Sequence, residues 1–95
     1  MKKYEVLYIL RSNMDAEDIK ATVESVKDIF VNNASKVLEC KEWGLRDLAY
    51  EIDHNKKGYY VWMSVEATVE ALNEFDRLAG YSEKLIRHIV VADGE

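Results

Sequence analysis

Apolar and polar residues along this chain fall into successive runs whose period switches between two and about 3.6, and the switch points carry residues that start or stop regular structure. Lys3 to Arg11 sets Tyr4, Val6, Tyr8 and Leu10 on one face of an extended chain and Leu7 and Ile9 on the other. Apolar residues on both faces predict a central strand. Ser12-Asn13-Met14-Asp15 breaks the run, and Asp15 with Asp18 predicts a capped helix start with acids against the positive end of the dipole. Ile19, Val23, Val26 and Phe30 form the stripe of an amphipathic helix, which should end at Asn32-Asn33, residues tolerant of a left-handed cap.

Lys36 to Trp43 is the second predicted strand, with Val37, Leu38 and Cys40 as apolar members. Gly44 then predicts a bulge or bend, after which Leu45 to Ile52 resumes with Leu48, Tyr50 and Ile52 on one face. A turn over Asp53 to Gly58 leads to a third strand, Tyr59 to Glu66, rich in β-formers. Thr68 is positioned as the cap of a second helix with the stripe Val69, Leu72, Phe75 and Ala79, and Gly80 as its stop. Leu85 to Val91 is the last strand.

The order is β, α, β, β, α, β. With right-handed crossovers in each half it gives an α+β, ferredoxin-like split βαβ architecture: a four-stranded antiparallel sheet with both helices on one face. The first and third strands become the central pair. The helices then cover Val6, Tyr8, Leu10, Val61, Met63 and Val65, leaving Leu7, Ile9, Tyr60 and Trp62 together on the open face. An aromatic patch of this kind is a docking surface in want of an occupant.

At 95 residues the chain makes one domain, 1–95, with room for one core. Its 48% hydrophobic and 33% charged residues are those of a folded protein rather than a disordered segment. Cys40 has no second cysteine to bond, which favours a reducing compartment, and no apolar run reaches the roughly 18 residues of a membrane span. We therefore expect a cytoplasmic protein with no membrane partner.

The net charge of −5 argues against holding nucleic acid by bulk attraction, but the acids are segregated. Asp15 to Asn33 and Glu66 to Ala79, the two helical stretches, each sum to −3, so the rest of the chain is mildly basic.

No catalytic, metal or cofactor signature is present in the sequence. His54 and His88 lie far apart without ligand-spaced partners, Cys40 has no adjacent His, and no Gly-rich phosphate loop occurs. Cys40 reads as a small half-buried hydrophobe and His88 as an ordinary sheet residue. Lys57-Gly58-Tyr59-Tyr60-Val61 overlaps the RNA-stacking strand of an RRM, but Met63 stands where that motif needs an aromatic. Base stacking on Tyr60 or Trp62 remains physically available.

Gly44-Leu45-Arg46-Asp47-Leu48-Ala49-Tyr50-Glu51-Ile52 closely resembles the signature of the bacterial small-subunit ribosomal protein six family. Lys3-Tyr4-Glu5-Val6, Arg11-Ser12-Asn13, Gly58-Tyr59-Tyr60, Glu74-Phe75-Asp76-Arg77-Leu78 and Ile86-Arg87-His88-Ile89-Val90-Val91 extend the resemblance over nearly the whole chain. The resemblance implies a non-enzymatic ferredoxin-like protein of the ribosomal platform. It would bind the central domain of 16S rRNA together with ribosomal protein eighteen of the same subunit, with no small-molecule substrate.

The expected RNA-binding residues are Lys2, Lys3, Tyr4, Arg46, Lys56, Lys57 and Arg87, and the expected apolar contacts to the protein partner are Trp43, Leu45, Tyr60 and Trp62. Asp47 and Asp53 place acids near Arg46, which should weaken a phosphate contact there. The rival classes are an ACT-like small-molecule regulatory module, which would want a Gly in the Arg11–Met14 turn, and an acylphosphatase-like enzyme, for which Arg11 and Asn13 lack a surrounding phosphate cradle.

Overall fold

The computed structural model describes residues 2–52 and 55–92, running β1 (Lys2–Arg11), α1 (Ala16–Asn32), β2 (Lys36–Ile52), β3 (Asn55–Ala67), α2 (Val69–Tyr81) and β4 (Leu85–Ala92). The strands form one antiparallel sheet in the order β2-β3-β1-β4, the ferredoxin-like arrangement expected. Alternation along the central strands sorts their residues cleanly. Val6, Tyr8, Leu10, Val61, Met63 and Val65 are fully buried beneath the helices, against Val23, Val26 and Phe30 of α1 and Ala71, Phe75 and Ala79 of α2. Tyr8, Phe30 and Phe75 form the aromatic centre, with Phe75 6.1 Å from Tyr8 and 5.9 Å from Phe30 between ring centroids.

Both helices start as capping chemistry dictates. Asp15 Oδ1 accepts from the Asp18 N–H at 2.9 Å, and Thr68 Oγ1 from the Ala71 N–H at 3.1 Å. Their far ends differ from expectation. The left-handed residue after α1 is Ala34 (φ 59°), one beyond the Asn pair, and the Ser35 N–H closes the turn on Phe30 O at 2.9 Å. Asn33 instead spends its side-chain amide on Ile29 O, at 2.7 Å. Gly80 does not end α2, which continues through Tyr81 to Ser82. Val69, expected in the stripe, is exposed, and Ala71 takes the buried place.

The α1–β2 and β3–α2 junctions are tied together. Ser35 Oγ accepts from the Thr68 N–H at 3.0 Å, and the Thr68 hydroxyl donates to Asn33 O at 3.0 Å. These two buried or half-buried hydroxyls satisfy backbone groups that the helix ends would otherwise leave orphaned.

The β2–β3 hairpin is longer than the sequence pattern suggests. Asn55 to Gly58, expected in a turn, are already strand, while Asp53 and His54 lie outside the described residues. Gly44 has φ +91° and sits at a shift of register between Glu42 and Gly44, the bulge expected there. Beyond it the hairpin runs past the body of the sheet and turns over the open face. Leu48, Ala49 and Tyr50 line a cleft with Leu7, Ile9, Tyr60 and Ile89, and Arg87 donates a hydrogen bond to the Tyr50 hydroxyl. Ile9, expected to be uncovered, is only 6% exposed for this reason.

Candidate nucleic-acid and partner interface

Three rows of register partners build the open face, each crossing the sheet from β2 to β4. Lys41, Trp62, Leu7 and Ile89 form the middle row; Gly44, Tyr60, Ile9 and Arg87 lie on the hairpin side of it; Glu39, Ser64, Glu5 and Val91 lie on the other. The bulge at Gly44 swings Trp43 onto this face, where its ring stacks on Tyr60 at 6.4 Å and 15° between planes. Arg46 caps the stack, its Cζ 5.5 Å from the Trp43 ring centre, and Lys41 Nζ lies 5.8 Å over Trp62. Trp62 donates its indole N–H to Glu5 Oε1 at 3.1 Å.

Trp43, Tyr60 and Trp62 are thus brought together as expected, but Leu45 is not among them. Its register partner is Tyr59, whose ring packs against the core on the helix side. The bulge explains this, since one extra residue between Glu42 and Gly44 resets which side chains face outward.

The seven expected RNA residues divide between two ends of the sheet. Lys2, Lys3 and Tyr4 pair with Ala67, Glu66 and Val65, whereas Arg46 pairs with Gly58 and Lys57 with Asp47 at the hairpin end, where Arg87 also lies. Eight strand positions separate Glu66 from Gly58, roughly 27 Å. Tyr4 is half-buried and packs against the core on the helix side, so its ring is not on the face of Trp62. Asp47, set apart in the sequence as an acid near Arg46, lies directly across the ladder from Lys57.

Arg11, which the sequence offers as a site residue only to an acylphosphatase-like reading, joins the expected cations. It pairs with Gly58, which pairs with Arg46, so the hairpin end of the open face carries Arg11, Arg46 and Arg87 within two adjoining rows. Lys41 and Glu5 were missed. Strand alternation places all three once the register is known; that of β1 with β3 is unbroken, whereas that of β2 shifts between Val37 and Glu39 and again between Glu42 and Gly44.

On the helix side, His88 Nε2 lies 3.1 Å from Asp76 Oδ1 and its ring meets Phe75 edge-on at 5.5 Å. Tyr59 donates its hydroxyl to Glu42 Oε1 at 2.7 Å, which holds its phenol above the ordinary range. Burial pushes the Cys40 thiol up, away from the thiolate form that a nucleophile or metal ligand needs. Among the described residues, no group of three or more His, Cys, Asp and Glu side chains could hold a metal ion, and no helix is long and apolar enough to cross a membrane.

Residues 3–92 match the model of the family described as ribosomal protein S6. The chain belongs to the ribosomal protein S6 family. It is 46% identical over 95 residues to the small ribosomal subunit protein bS6 of Acholeplasma laidlawii and 45% identical to that of Onion yellows phytoplasma, in both cases covering all of each chain. Its fold superimposes with a TM-score of 0.91 on the crystal structure of 30S ribosomal protein S6 from Thermotoga maritima, at 25% identity and covering 97% of this chain and 87% of that one. Membership of the S6 family makes it a structural ribosomal protein of the cytoplasm, not an enzyme, which sets aside the acylphosphatase-like alternative and leaves the ACT-like one without support.

Proposed function

We propose that this S6-family chain serves in the platform of the small ribosomal subunit, binding the central domain of 16S rRNA together with ribosomal protein eighteen of that subunit. The observation that carries the reading is the division of the open sheet face. Its hairpin end is cationic, with Arg11, Arg46 and Arg87 close by and Lys56 and Lys57 further along the hairpin. Its middle is aromatic and aliphatic, around Trp43, Tyr60, Trp62, Leu7 and Ile89.

The two halves suit two different ligands. Phosphates pair with guanidinium groups, which offer fixed pairs of donors to their oxygens. The apolar middle suits a protein surface, since stable interfaces have an aromatic and aliphatic centre with a charged rim. Five cations at one end give only a modest phosphate footprint on a chain of net charge −5. RNA and protein therefore bind cooperatively: the partner adds positive charge where this chain has none to spare.

The reading is tested by titrating a central-domain rRNA fragment with the protein, alone and with ribosomal protein eighteen. The affinity should rise when both proteins are present, and equal affinities would refute cooperation. Arg46→Ala should flatten the dependence of log affinity on log salt by about 0.7–0.9, the share of one phosphate contact. An unchanged slope would remove Arg46 from the RNA site.

A further inference from the structure

Beside the Trp43–Tyr60 stack the open face has a cleft of about 570 Å³, walled by Leu7, Trp43, Trp62, Ile89 and Val91, with Glu5 and Lys41 as its charged members. The two charges are not equivalent. Lys41 Nζ lies 3.3 Å from Glu39 Oε2, so its charge is matched on its own strand. Glu5 has no cation within 4.0 Å among the described residues; its Oε1 accepts the Trp62 indole N–H, which fixes the direction of the carboxylate. The cleft thus holds one unmatched negative charge, held in place by an indole and surrounded by apolar walls.

While the cleft is open to water Glu5 is hydrated and costs nothing. An occupant large enough to cover Leu7, Ile89 and Val91 strips water from the carboxylate, and a desolvated carboxylate without a cation is strongly unfavourable. Only a partner that brings its own cation can use the apolar walls. The indole beside Glu5 narrows the choice further, because a planar, weakly hydrated guanidinium stacks on an aromatic face while offering a pair of N–H donors to a carboxylate. A lysine ammonium can also lie over an indole, as Lys41 does on Trp62, but it is a compact, strongly hydrated charge without the planar pair of donors.

We propose that this cleft receives an arginine side chain of the protein partner, its guanidinium paired with Glu5 and laid against Trp62, with the aliphatic residues next to it seated on Leu7, Ile89 and Val91. This rests on the reading that the open face docks a protein. It deepens that reading by naming the anchor and by giving the carboxylate Glu5 a role in choosing the partner. A partner presenting an uncharged or acidic side chain at this point would leave the carboxylate buried and unpaired, and would be rejected.

The experiment is calorimetric titration of ribosomal protein eighteen of the small subunit into the wild type and into Glu5→Gln and Ile89→Ser. Gln keeps an oxygen for the Trp62 N–H and loses only the charge, and because both positions are exposed both variants should unfold at the wild-type urea midpoint. Glu5→Gln should bind about ten-fold more weakly, the loss of one hydrogen-bonded charge pair. Its affinity should also depend less steeply on salt. Wild-type affinity for Glu5→Gln with weakened binding for Ile89→Ser would overturn the arginine seat and leave the docking face intact. Wild-type affinity for both, or no binding by the wild type, would overturn the docking face and the arginine seat together.

Discussion

Gly58 is the point where the returning hairpin comes closest to the sheet, and a single methyl there tests how tightly the two are packed. A Cβ at position 58 would lie within 3.0 Å of Ile9 Cγ2, nearer than real Cβ atoms come, with Leu48 Cδ2 at 3.4 Å and Leu10 O at 3.5 Å closing other directions. Ile9 is 6% exposed and, being β-branched, has few rotamers into which to retreat. Inserting a methylene into such a site costs about 1–3 kcal/mol, against about 0.4–1 kcal/mol regained because alanine restricts the unfolded chain. Gly58→Ala should therefore lose about 1–2 kcal/mol net, read as a lower urea midpoint at unchanged m, and a melting temperature lower by roughly 5–15 °C. The cause can be separated by a double-mutant cycle. Ile9→Ala removes the clashing methyl, so Gly58→Ala should cost much less in that background. Gly44→Ala is the control: φ is +91° and no atom lies within 4 Å of the added Cβ, so its cost is backbone strain alone and Ile9→Ala should not relieve it. Wild-type stability for Gly58→Ala, or additivity with Ile9→Ala, would refute the packing argument.

The Tyr8 hydroxyl is fully buried and finds no hydrogen-bond partner among the described residues, so Tyr8→Phe should hold or raise stability, by up to about 1 kcal/mol, in urea unfolding. Burial raises the Tyr8 phenol, and the bond to Glu42 raises that of Tyr59. Stability from these groups is therefore intact below the ordinary value of 10.0 and falls as pH climbs above it, and Tyr8→Phe should flatten that alkaline loss. Thr68→Ala removes both the α2 cap and the bond to Asn33 O, and should cost about 1–2 kcal/mol, with amide exchange quickening first at Ala71. Neutralising the exposed helix acids, as in Glu24→Gln with Glu70→Gln, should leave the salt slope of rRNA binding unchanged, whereas Arg87→Ala should lower it by about 0.7–0.9.

Most of the fold was legible because local and global signals agree. The double-faced apolar run of β1, the acid cap at Asp15 and the 3.6-residue stripe of α1 each point to the element that forms, and their order admits few topologies. The hairpin was less legible for a physical reason. Asn55 to Gly58 have the composition of a turn, and only the antiparallel partner supplied by Arg46 and Asp47 makes Lys57 and Gly58 strand. The same strand pairing shapes the open face. Leu45, expected beside Trp43, Tyr60 and Trp62, lies across from Tyr59 instead, because the bulge between Glu42 and Gly44 interrupts the alternation of faces along β2. Ile9 was expected on the open face and does point there, but nothing in its own neighbourhood reveals that Leu48, Ala49 and Tyr50 return to cover it. Glu5 and Lys41 read as ordinary solvated charges until the ladder sets them beside Trp62.

Net charge also misleads unless it is placed on the fold. The acids Glu17, Asp18, Glu24 and Asp28 of α1 and Glu70 and Asp76 of α2 are exposed on elements that cover one face of the sheet, while Arg11, Arg46 and Arg87 belong to the opposite face. A sheet with helices packed on it separates outward helix side chains from the open face by roughly 15–20 Å. That is about twice the Debye length at physiological ionic strength, so the helix acids are largely screened from anything on the open face. A phosphate at the hairpin end feels the arginines and, at closer range, Asp47, whose charge faces Lys57 across the ladder. The protein is therefore acidic to an electrophoretic measurement and locally basic at its proposed RNA surface. Glu5, which has no cation within 4.0 Å among the described residues, stands in the other half, where the proposed ligand is a protein and a negative charge selects rather than repels.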